Sequence, residues 1–95
     1  MPAYIFLNIE VTDATRYADY ATAAGATVEQ FGGRYLARGG RAEPLEGTVN
    51  PKRIVILEFP SYERATAWWH SAEYGAPKQI RQIAARSDAL IVDGV

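Results

Sequence analysis

From Tyr4 to Val11 the chain alternates, with Ile5, Leu7, Ile9 and Val11 on one face and Tyr4, Phe6, Asn8 and Glu10 on the other. A period of two held this long predicts a strand. Thr12 or Asp13 then offers an N-cap oxygen, and Tyr17, Tyr20, Ala21, Ala24, Val28 and Phe31 recur at spacings of three and four. That is the stripe of an amphipathic helix, which Gly32-Gly33 ends with residues free to form a left-handed C-cap. Gly25 within it costs about 1 kcal/mol relative to alanine and marks a bend or a close contact. Arg34 to Arg38 predicts a short second strand, and the polar stretch from Gly39 to Lys52, with Pro44, Gly47 and Asn50-Pro51, a long hairpin loop. Arg53 to Phe59 is nearly all apolar, as a strand in the middle of a sheet should be. Ser61 is placed to cap a second helix through Ala72, with Glu63 in the first turn where a carboxylate suits the helix dipole. Ser71 can cap a further turn, Gly75 and Pro77 interrupt it, and Lys78 to Arg86 resumes with Ile80, Ile83 and Ala84 inward. Ser87 to Val92 predicts the fourth strand.

The order is β-α-β-β-α-β, the ferredoxin-like α+β arrangement, with both helices on one face of a four-stranded antiparallel sheet and residues 1–95 forming one domain. If Ile5, Leu7, Ile9, Val55, Leu57, Phe59, Leu90 and Val92 face the helices, the uncovered face carries Tyr4, Phe6, Leu36, Ile54, Ile56 and Ile91. Asn8, Glu10, Arg38, Glu58 and Asp93 are interspersed there. Such an apolar area exceeds what a monomer normally leaves in water. The expected remedy is a second copy packing its own sheet on that face, a two-fold homodimer.

Composition narrows the chemistry. Hydrophobic residues make up 48% and charged residues 22% of the 95, an ordinary globular balance. A net charge of −1 supplies no cationic field for phosphates, so no nucleic-acid partner is expected. The absence of cysteine removes thiolate nucleophiles, disulfides and cysteine metal sites. With one histidine and no HExxH, EF-hand or Walker pattern, no metal is expected. Apolar runs are short and no basic, hydrophobic leader opens the chain, which points to a cytoplasmic protein without membrane contact.

The chain resembles the family known as domain of unknown function 1330, within the dimeric α/β-barrel superfamily. The likeness rests on Tyr4-Ile5, on Asp13 with Tyr17 and Tyr20, on the run from Gly32 to Gly40, and on Leu45-Glu46-Gly47. It continues through Arg53 to Ser61, Ala65 with Trp68-Trp69, and Ser71 to Tyr74. It implies a ferredoxin-like protomer pairing into a barrel and assigns no reaction. The superfamily includes cofactor-free monooxygenases, haem-degrading enzymes and lactone isomerases, an analogy at the level of fold. His70 departs from the pattern, since many relatives carry an acidic or amide residue there.

Candidate site residues each have two accounts. His70, the only side chain of a type that titrates near neutrality, can serve as a general base or ligand donor beside Trp68, Trp69 and Tyr74. A histidine near a helix C-terminus also complements the dipole, which is the plainer account. Adjacent helical residues diverge by about 100°, so Trp68 and Trp69 cannot both point inward. One belongs to the core and the other to a cleft or interface. Among Arg34, Arg38, Arg41 and Arg53, the pair Arg38 and Arg53 can fork onto a substrate carboxylate, or can tie strands and loop to Glu43, Glu46 and Glu58. After loss of Met1, Pro2 would resemble the amino-terminal proline of the tautomerase superfamily. Asn8, a tryptophan and His70 match residue types of the haem-degrading members, where the tryptophan and histidine are farther apart in sequence; no cofactor is expected.

The reading favoured by the sequence is a homodimer that binds a small, partly aromatic or anionic molecule in a cleft between helix two and the sheet. Its residues are Trp68 or Trp69, His70, Tyr74, Arg38 and Arg53, with Asn8 and Tyr20 as hydrogen-bond partners. The alternatives are a cofactor-independent monooxygenase or isomerase using the same cleft, a tautomerase-like enzyme using Pro2, and a structural dimer without a pocket.

Overall fold

The computed structural model describes residues 1–95 and places them in the order β1 (Ala3–Val11), α1 (Ala14–Gln30), β2 (Arg34–Arg38), β3 (Arg53–Phe59), α2 (Tyr62–His70), α3 (Ala72–Ala84) and β4 (Ala85–Asp93). The sheet runs β2-β3-β1-β4 with every neighbouring pair antiparallel, the ferredoxin-like order, and the helices supply one layer over it. Asp13 caps α1 by accepting a hydrogen bond from the Arg16 N–H. Its other end closes in a Schellman turn, in which the Gly33 N–H reaches the Val28 carbonyl and the Gly32 N–H that of Glu29. Gly32 has φ 78°, the left-handed conformation the turn requires.

The second helical segment is two helices rather than one interrupted helix. α2 ends at His70, short of the expected Ala72, and α3 is continuous through Gly75 and Pro77. Ser71 makes the joint: its hydroxyl donates to the Trp68 carbonyl at 2.8 Å and accepts from the Tyr74 N–H at 3.1 Å, capping one helix and starting the next. Pro77 deletes the helical hydrogen bond to the Glu73 carbonyl, a loss that the burial of its ring offsets. Ile83 is 66% exposed, contrary to the expected inward position, and Arg81 is the buried residue of that turn.

On β1 and β3 the expected faces hold. β4 begins at Ala85, earlier than predicted, and its phase is reversed. Ile91 stands opposite the buried Ile5 on the helix side, while Leu90 and Val92, paired with Phe6 and Tyr4, lie on the open side at 56% and 50% exposure. Asp93, opposite the buried Ala3, is likewise on the helix side rather than the open one. The second correction concerns β2. Tyr35 pairs with Leu57 and Ala37 with Ile56, so Leu36 is an extra residue, a bulge. Beyond it the alternation changes sides, and Arg38, expected on the open face, lies opposite the buried Val55 on the helix side.

At the centre of the core Trp68 stacks on Tyr74 with centroids 3.9 Å apart and sits 5.4 Å from Phe59. Its indole N–H donates to the Thr27 hydroxyl at 2.9 Å, tying α2 to α1. Gly33 lets the chain pass this cluster, because a Cβ there would come within 2.6 Å of the Phe59 ring. Trp68→Ala should therefore lower the unfolding free energy by about 3–5 kcal/mol in urea denaturation. A loss near 1 kcal/mol would show that the cluster is not the centre of the core.

Candidate functional site

A mainly apolar cleft of about 350 Å³ lies between α2 and β4. Tyr62, Thr66, Trp69 and His70 recur at helical spacing along the facing side of α2. The sheet contributes Ile5 and the run Ala89, Leu90 and Ile91. Because Trp68 is committed to the core, the turn of about 100° to its neighbour carries Trp69 toward this cleft, and His70 follows to its exposed rim. Trp69 is firmly seated: Lys78 donates to its carbonyl at 2.8 Å and lies 5.0 Å from its ring centroid, and the Arg81 guanidinium is 5.5 Å from the same ring. The arrangement can hold an apolar, planar body against an indole, with one imidazole available to a polar group at the mouth.

Arg38 and Arg53 lie elsewhere, at a narrow crevice between α1 and the β2–β3 edge lined also by Tyr17, Tyr20, Tyr35 and Trp68. Arg53 donates through Nε to the Tyr17 hydroxyl at 3.2 Å, and Arg38 lies over the Tyr35 ring at 4.3 Å. Tyr20 and Tyr74, expected as ligand contacts, are buried and share a hydrogen bond of 2.9 Å between their hydroxyls. Asn8 is on the open face, where it holds the long loop by donating to the Asn50 carbonyl and accepting from the Lys52 N–H. Thus the structure brings together only Trp69 and His70 at the larger cleft, and only Arg38, Arg53, Tyr20 and Trp68 at the crevice. Pro2, next to Ala3, lies at the opposite end of β1 from Ile9 and its partner Arg53, so no arginine pair accompanies its nitrogen.

Two residues of interest were not anticipated. Arg81 is 3% exposed, makes no ion pair, and has the Tyr74 hydroxyl as hydrogen-bond partner at 3.4 Å and aromatic rings around it. Thr66 lines the cleft but carries no signal in sequence beyond its spacing from Trp69 and His70.

Burial raises the Tyr20 phenol far above its ordinary value of 10, with the adjoining Tyr74 adding to the effect. Burial also raises Tyr35, partly opposed by the Arg38 cation. Both groups thus keep their protons in the fold at pH values where the unfolded chain has lost them. Stability should be full below about pH 10 and fall as pH climbs beyond it. Urea midpoints measured across that range should decline, and Tyr20→Phe should flatten the decline although it costs about 1 kcal/mol at neutral pH for the lost hydrogen bond. An unchanged slope in the variant would mean that Tyr20 does not carry the effect.

Comparison with other proteins agrees with this architecture. RPA0582, a protein of unknown function from Rhodopseudomonas palustris, superposes with a TM-score of 0.78 at 20% identity, over 99% of this chain and 82% of that one. SnoaB, a cofactor-independent oxygenase from Streptomyces nogalater, gives 0.68 at 5% identity, over 99% and 93%. A dimeric ferredoxin-like protein of unknown function from Jannaschia sp. gives 0.65 at 11% identity, over 99% and 100%. At these identities the likeness is one of fold. No curated protein matches the sequence. No helix is long and apolar enough to cross a membrane. The profile of the family described as domain of unknown function DUF1330 matches residues 2–95, and the chain belongs to that family.

Proposed function

We propose that the protein is a homodimer whose subunits each bind a small molecule with a planar, apolar body in the α2–β4 cleft. The observation that carries the reading is the cleft itself, apolar along most of its lining, with Trp69 as a seated aromatic surface and His70 at the rim. Dimerisation rests on the open sheet face, where Tyr4, Phe6, Leu36, Ile54, Ile56, Leu90 and Val92 lie together with the Arg34–Glu58 ion pair. A contiguous apolar surface of this kind is an interface signature, and a copy of the same face is its simplest complement under two-fold symmetry. Leu90 belongs both to this face and to the lining of the α2–β4 cleft, so the cleft borders the covered sheet.

A catalytic version of the reading uses the same residues. His70 could take the proton of a hydroxylated aromatic substrate and leave an electron-rich anion in an apolar setting, and SnoaB shows that this fold hosts cofactor-independent oxygenation.

1-Naphthol is a suitable probe. It should quench tryptophan emission saturably, Thr66→Trp should abolish binding by filling the cleft, and His70→Ala should weaken 1-naphthol about fivefold while leaving naphthalene unaffected. Binding that survives Thr66→Trp would place the site elsewhere. Oxygen uptake with 1-naphthol that vanishes in His70→Ala would establish the catalytic version, and its absence in the unmodified protein would overturn that version for this substrate. For the dimer, Ile56→Glu should give monomers or insoluble protein by sedimentation, and an unchanged dimer would mean that the open face is not the interface.

A further inference from the structure

The Leu36 bulge has the effect of bringing two cations together. A regular β2 would place Arg38 on the open side with Arg34; the extra residue turns it to the helix side, opposite Val55. Arg53, two residues before Val55 on β3, faces the same way. Side chains so related across neighbouring strands have Cβ atoms about 7–8 Å apart, close enough for like charges to disfavour the pairing. No carboxylate relieves them. Asp13 is paired with Arg16, Glu58 with Arg34 on the other face, and Glu10 with Lys52, and neither Arg38 nor Arg53 enters an ion pair.

Both guanidinium groups are nevertheless positioned. Arg53 is held by Tyr17 and packs against Gly39, whose φ of 73° and lack of a Cβ make room for the guanidinium. Arg38 is stacked on Tyr35, with one N–H directed to the Ala21 carbonyl at 3.4 Å. Each group has five N–H donors, and one on each is engaged. Between α1 and the strands the crevice has about 20 Å³ of free space, room for one oxygen-sized group and no organic body.

We propose that Arg38 and Arg53, with the hydroxyls of Tyr17 and Tyr35, form a second binding site, distinct from the α2–β4 cleft, for the carboxylate group of a small organic acid. A planar carboxylate matches the fork of a guanidinium through two parallel hydrogen bonds and can direct one oxygen into the crevice. Phosphate, which also pairs with a guanidinium fork, is the competing anion. The organic portion would then lie outside, toward the exposed loop of residues 40–50.

Acetate, which has no aromatic body to compete for the larger cleft, is the probe. In the 15N-labelled protein at constant ionic strength, acetate should shift the Nε–Hε resonances of Arg38 and Arg53 saturably while those of Arg64 stay in place. Arg38→Gln and Arg53→Gln should each weaken binding about tenfold or more, as loss of a charge-assisted bidentate contact does. Arg38→Lys, which keeps the charge and loses the fork, should also weaken it, and the cleft-blocking Thr66→Trp should leave it unchanged. Resonances that fail to saturate, full affinity in Arg38→Lys, or tighter binding of inorganic phosphate than of acetate would each overturn the assignment. Loss of acetate binding in Thr66→Trp would overturn the separateness of the two sites.

Discussion

The placement of one side chain, Trp68, organises the helical layer. Its ring lies on Tyr74 of α3 and near Phe59 of β3, and its N–H reaches Thr27 of α1, so three elements are registered against the sheet through a single indole. A buried N–H left without an acceptor would cost about 1–3 kcal/mol, which makes the Thr27 hydroxyl part of the constraint rather than an accessory. Since α2 is a helix, fixing Trp68 also fixes the direction of its neighbours. Trp69, packed against the edge of the core, and the exposed His70 are turned to the cleft beside β4. Ser71, bonded to the Trp68 carbonyl, then ends α2 at the point where α3 can return Tyr74 to the same ring.

The parts of the fold that were legible are those where one face is buried against a clear polar alternative. β1, β3 and the buried stripe of α1 have clean periods, and their burial follows them. β4 was misread because Ala89, Leu90, Ile91 and Val92 are consecutive apolar residues, so a period of two has no phase there. Pairing with β1 decides it, and the same ambiguity explains the reversed positions of Leu90, Ile91, Val92 and Asp93. In α3 the pattern favoured Ile83 over Arg81 because an arginine does not read as a core residue. Aromatic rings and the Tyr74 hydroxyl let its long side chain be buried.

The candidate site divides in the same way. That the two tryptophans would have different roles followed from helical geometry, and a cleft between α2 and the sheet was foreseeable with His70 and one of the two in it, but only the burial of Trp68 decides that the other is Trp69. What the sequence did not show was that Arg38 and Arg53 serve a different region, because a bulge of one residue decides which side of β2 a side chain takes. A linear pattern contains no mark of that extra residue. Asn8 was similarly placed by type rather than by neighbours: both of its amide atoms are used by the end of the long loop, which gives it a mechanical duty on the open face.

The sheet order has a temporal side as well. β1, the earliest strand of this domain, is central, and one of its two neighbours, β4, is the domain's latest strand, with Ala3 aligned against Asp93. The central strand therefore has to wait for nearly the whole chain before its second edge is closed, and pairings that distant in sequence are slow to form. In the interval α1 can gather its own hydrogen bonds, whereas the apolar residues of β1 have no finished surface to join. The architecture thus makes assembly of the core, and of any face offered to a second subunit, wait for β4 rather than proceed strand by strand.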